Sequence, residues 1–86
     1  MKPNEKLKDE IFQVIKNQLD ANDPPETKIT YNRLISLGYN EFETNQLIGQ
    51  CVAFEIFEVF KHKKPFNRIR YIKNLNQLPK QPIGWT

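Results

Sequence analysis

The ten residues Cys51-Val52-Ala53-Phe54-Glu55-Ile56-Phe57-Glu58-Val59-Phe60 decide the fold class of this 86-residue chain. Eight of the ten are apolar, and their β-branched and aromatic content would also suit a buried strand. Strict alternation is absent, however. Glu55, Glu58 and His62 fall at gaps of three and four, which gathers the polar side chains on one stripe of a helix. Upstream, Asn40 with Glu43 three residues on is a capping-box signal, and no proline intervenes before Pro65. A helix is therefore predicted over residues 41–63, a rod of roughly 34 Å. So apolar a rod needs cover on most of its circumference, from neighbouring helices or from a second subunit. The stripe of Cys51, Glu55, Glu58 and His62 reads as its wetter face. Phe54, Phe57 and Phe60 read as core or subunit interface.

Working outward, Leu7, Ile11, Val14, Ile15 and Leu19 lie on one face of a first helix, predicted over 4–21 and stopping at Asn22. Asp23-Pro24-Pro25-Glu26 reads as a capping box, with Asp23 as the cap, Pro24 in the first helical position and Glu26 reaching back. The second helix, 24–37, carries Ile29, Tyr31, Leu34, Ile35 and Leu37 and ends at Gly38, the residue that takes the left-handed conformation most readily. After Pro65, Asn67 caps a fourth helix over 68–78, with Phe66 and Tyr71 spaced as a hydrophobic staple and Ile69, Ile72, Leu75 and Leu78 as the apolar face. The tail 79–86 holds two prolines and Gly84 and is predicted to be extended. Ile83 and Trp85 are the groups able to anchor it, Trp85 either folded back over the bundle or offered to a partner. The expectation is one all-α domain, residues 1–86, with the third helix at the centre.

Composition narrows the function classes. A mass of 10.2 kDa suits a single core, and 38% hydrophobic residues with few glycines exclude a low-complexity chain. No apolar run approaches the length that spans a bilayer, so no membrane role is expected. The stretch MKPNEKLKDE lacks the apolar segment of a secretory signal, and the lone Cys51 has no internal disulfide partner. A cytoplasmic setting is the expectation.

Charge is unevenly distributed. Residues 1–60 hold six Lys/Arg against ten Asp/Glu, a net of −4, whereas residues 61–86 hold seven Lys/Arg and no acid, a net of +7. Lys61, Lys63, Lys64, Arg68, Arg70 and Lys73 are interleaved with Phe66 and Tyr71, a mixture that suits a phosphate backbone with splayed bases. The competing reading is a solvated surface whose cations complement a helix C-terminus. The short turn Leu37-Gly38-Tyr39-Asn40 invites comparison with a DNA-binding helix-turn-helix, but the next helix opens with Glu41 and Glu43, which repel phosphate.

One constellation bears on catalysis. Cys51, Glu55, Glu58 and His62 share a stripe, but ligands strung along a single helix leave only neighbours such as Glu58 and His62 able to share an ion. Cys51 reads as a small hydrophobe, no metal or cofactor is expected, and no residue is assigned as catalytic. Gly49, inside a helix, marks close approach of another helix.

Two resemblances complete the reading. Arg33-Leu34-Ile35-Ser36-Leu37-Gly38-Tyr39 is similar to the first-loop motif of ubiquitin-associated domains, small three-helix binding modules, but only around this turn. Asp23-Pro24-Pro25-Glu26-Thr27, Arg33-Leu34, Gly38-Tyr39, Leu47-Ile48, Glu55-Ile56-Phe57-Glu58, Lys64-Pro65-Phe66-Asn67, Arg70-Tyr71 and Leu78-Pro79 resemble a group of small bacterial helical proteins. That resemblance implies a bacterial, cytoplasmic, all-helical protein and brings no activity. The expected role is a non-enzymatic protein-interaction module, with a homodimer as one arrangement. Its contacts are expected at Phe54, Phe57, Phe60 and Trp85. The alternative is nucleic-acid contact through Lys61 to Lys73.

Overall fold

Short polar side chains and left-handed residues set where each helix of this chain begins and ends. The computed structural model describes the backbone of residues 3–80 and the side chains of residues 6–80. In order they form α1 (Pro3–Ala21), α2 (Pro25–Ser36), α3 (Glu41–His62) and α4 (Arg68–Gln77), with no strand among the described residues. The fold is all-α, as expected. The predicted extended tail and Trp85 lie outside the described residues from position 81 onward.

Three of the predicted helix-boundary signals are present. The Asn40 side chain accepts from the Glu43 amide at 2.8 Å, and the Glu43 carboxylate accepts from the Asn40 amide at 2.9 Å, so both halves of the capping box close. Asn67 likewise accepts from the Arg70 amide at 2.9 Å, and the Phe66 and Tyr71 rings meet edge-on at 5.2 Å as the staple that fixes the entry into α4. At the end of α2, Gly38 has φ 104°. Its amide donates to Ile35 and the Tyr39 amide donates to Leu34, the paired bonds of a Schellman motif. Asn22 does the same for α1, with φ 51° and bonds from Asn22 to Leu19 and from Asp23 to Gln18.

All helix limits fall within one residue of those expected, and two of them are set in a way the sequence does not signal. The Asp23 capping box does not form: Pro24 is the N-cap, Pro25 is the first helical residue, and no side chain caps α2. Asp23 lies one residue too early to reach the free amides and instead accepts from Arg68 at 2.9 Å. Secondly, α3 stops at His62 because Lys63 turns left-handed at φ 56°, its amide bonding back to Val59.

The core consists of Ile11 and Ile15 from α1, Leu34 from α2, Ile48, Cys51 and Val52 from α3, and Tyr71, Leu75 and Leu78 from the last segment. α3 packs against all three other helices, as expected of the central rod, and α2 does so too. The faces of α2 and α4 are rotated from those predicted. Ile29, Ile35, Leu37 and Ile69 are exposed, whereas Thr27, Thr30, Tyr71 and Asn74 are buried. Polar joints explain the rotation. Gln18 Oε1 accepts from the Thr27 hydroxyl at 2.8 Å and from the Tyr71 hydroxyl at 2.7 Å, tying α1, α2 and α4 through one atom. Arg33 of α2 donates to the carbonyls of Leu78 at 2.7 Å and Leu75 at 3.0 Å, tying α2 to the end of α4.

Candidate functional site

The orientation of α3 determines what the protein offers its surroundings. The stripe predicted to be the wetter face turns inward instead: Cys51 and Glu55 are fully buried, with Glu58 and His62 following them out to the surface at the helix end. Burial of a carboxylate is tolerable only when its lone pairs are satisfied. Glu55 accepts from Arg70 Nε at 2.6 Å, from Arg70 Nη2 at 2.9 Å and from the Asn67 amide at 2.9 Å. Arg70 comes from α4 and the amide from the turn before it, so a partner fifteen residues away makes the inward orientation possible. Its guanidinium also sits 5.2 Å from the centre of the Phe54 ring.

With that stripe inside, the opposite side of α3 is left uncovered. Phe57 is 67% exposed and Phe60 72% exposed, on one outward stripe with the half-buried Ala53. α1 covers this stripe only further back. There Gly49 lets it in: a Cβ at that position would stand 3.3 Å from Ile11 Cγ2. The close approach signalled by Gly49 is thus between α1 and α3. Beside the crossing runs a groove of about 410 Å³, bordered by Lys8 and Phe12 of α1 and by Gln46, Gln50 and Ala53 of α3. The Gln50 Oε1 atom is buried with no hydrogen-bond partner. Lys8 spans the outer edge, its ammonium 4.9 Å from the Phe42 ring centre and 5.6 Å from that of Phe12.

The basic strip divides into two sets. Arg68 pairs with Asp23 at 2.9 Å, Arg70 holds Glu55, and Tyr71 is buried in the core with its hydroxyl on Gln18. Tyr71, expected as a stacking group, therefore presents no ring face to solvent. Lys61, Lys63, Lys64 and Lys73 are exposed and, among the described residues, take part in no ion pair.

Of the constellation considered for chemistry, Cys51 and Glu55 are enclosed while His62 lies 3.5 Å from Glu58 one turn further along. Burial first and the neighbouring Glu55 second push the Cys51 thiol up to about 12, which keeps it protonated and unreactive at neutral pH. The hydrogen bonds that Arg70 donates to Glu55 raise its guanidinium further above its already high value. Among the described residues there is no group of three or more His, Cys, Asp or Glu side chains placed to hold a metal ion. Nor is any described helix long and apolar enough to cross a membrane.

The groove and Gln50 were invisible in the sequence, apart from the hint that a glycine inside a helix gives of a neighbour close by. No family model, no curated protein and no solved structure matches this chain.

Proposed function

We propose that this chain is a non-enzymatic protein-interaction module that binds through the outward side of α3, with Phe57 and Phe60 as anchors. The supporting observation is the exposure of two phenyl rings, 67% and 72%, one turn apart on the longest helix. Covering a large apolar side chain is worth about 1.5–3 kcal/mol, and aromatic anchors dominate the energetics of protein contacts. Phe54 is already covered in part by Arg70 and serves the fold more than the surface. The enclosed, protonated Cys51 and the neutralised Glu55 support a role without catalysis.

Light scattering on the wild type and on a Phe57→Ser, Phe60→Ser double variant, together with co-purification from host extract, tests this reading. The wild type is expected to self-associate or to retain a partner that the double variant loses. Both substitutions lie at the surface, so the unfolding midpoint should be little changed. Identical behaviour of the two proteins would end the proposal.

Lys61, Lys63, Lys64 and Lys73, exposed and in no ion pair among the described residues, favour a second reading, contact with single-stranded nucleic acid. Anisotropy titrations with short RNA and DNA at two salt concentrations check it. Binding that is absent, or insensitive to salt, removes it.

A further inference from the structure

We infer that the α3 surface takes an acidic, amphipathic helical segment of a different protein in preference to a second copy of this chain, a statement that rests on the interaction reading above. The stripe from Gln46 through Gln50, Ala53 and Phe57 to Phe60 follows four-and-three spacing along one side of a single helix, roughly 21 Å long. Ala53 borders the groove and Phe57 stands one turn beyond it, so groove and exposed rings form one continuous track. A track of that length and narrowness fits about four turns of a partner helix laid along it.

Charge specifies what that helix carries. Lys8 edges one end of the track, and Lys61 follows Phe60 at the other, with Lys64 exposed just past the end of α3. None of the three is ion-paired among the described residues. The acids on the C-terminal half of α3 are already engaged, Glu55 by Arg70 and Glu58 by His62 at 3.5 Å and Arg70 at 3.9 Å. Two copies laid parallel across Phe57 and Phe60 would bring Lys61 of each toward the other, and like charges at a contact disfavour it. A partner with apolar residues at i, i+3 or i+4 and i+7, flanked by Asp or Glu, meets the rings and the lysines together.

The test is to pan a display library of random peptides of about 16 residues, roughly 24 Å as helix, against the intact wild-type chain. The enriched peptides are then titrated against Phe57→Ser, Phe60→Ser and against Lys61→Glu, Lys64→Glu. We expect enriched peptides to be net negative and amphipathic, and to lose about tenfold or more in affinity with either double variant. Circular dichroism confirms that both variants are folded. Neutral or basic winners, or winners indifferent to the lysine reversal, overturn the inference. So does tighter binding of a single-stranded oligothymidine, which would assign the surface to nucleic acid. If no peptide is enriched and light scattering finds a dimer that Phe57→Ser, Phe60→Ser dissociates, the acidic partner is excluded while the interaction surface stands.

Discussion

Glu55 is a carboxylate placed where no water reaches it, and three donors from the far side of a turn hold it there. Its value to the protein is asymmetric. Removing Arg70 strands a buried charge, whereas neutralising Glu55 leaves Arg70, whose side chain is 34% exposed and can turn to water. Arg70→Ala should therefore cost about 3–5 kcal/mol and Glu55→Gln clearly less, with urea unfolding as the measurement. Equal losses would mean the carboxylate is better hydrated than its position allows. Cys51 and Tyr71 make a second prediction. Burial pushes both up to about 12, from ordinary values of 9.0 for the thiol and 10.0 for the phenol. Above pH 9 the unfolded chain releases these protons before the native one does, so stability holds below pH 9 and falls between there and pH 12. Urea midpoints at a series of alkaline pH values should trace that decline, and Cys51→Ala should delay its onset toward the phenol's 10.0.

Helix ends were legible in the sequence wherever one local pattern decided them, as at Asn40-Glu43, Asn67 and Gly38. Gly38 has nothing within 4 Å of a would-be Cβ, so Gly38→Ala tests backbone conformation alone and should cost about 1–2 kcal/mol. Lys63 is the converse case, an L-residue held left-handed at φ 56° to end α3. Lys63→Gly should stabilise by about 0.5–1 kcal/mol, read as a higher thermal midpoint, since glycine adopts that geometry at less cost. Helix faces were less legible. Apolar spacing placed Ile69 inside α4, yet it is 82% exposed, because Tyr71 is drawn inward by Gln18 and Arg33 grips the carbonyls beyond. On α2, Thr27 and Thr30 take positions expected for isoleucine for the same kind of reason, the Thr27 hydroxyl having an acceptor waiting on α1. Nothing local in the chain announces partners dozens of residues away.

At the scale of the molecule, the α1–α3 crossing depends on the missing side chain at Gly49. Gly49→Ala gains helix propensity of about 1 kcal/mol but crowds Ile11, so its net effect should lie within about 1 kcal/mol of zero. Gly49→Val should destabilise by about 2 kcal/mol, since the added methyls must push α1 away. Chemical denaturation of the two variants distinguishes a tight crossing from a loose one, in which valine would be tolerated. Local patterns in the chain suffice to make it helical, to set how many helices the described residues form and to place their limits within one residue. Caps, periodicity and left-handed turns are properties of neighbours along the backbone. Which side of α3 is wet depends instead on contacts between helices. A pattern of eight apolar residues in ten has no preferred direction until Arg70 arrives to neutralise Glu55, and once that pair closes inside, Phe57 and Phe60 are left facing outward.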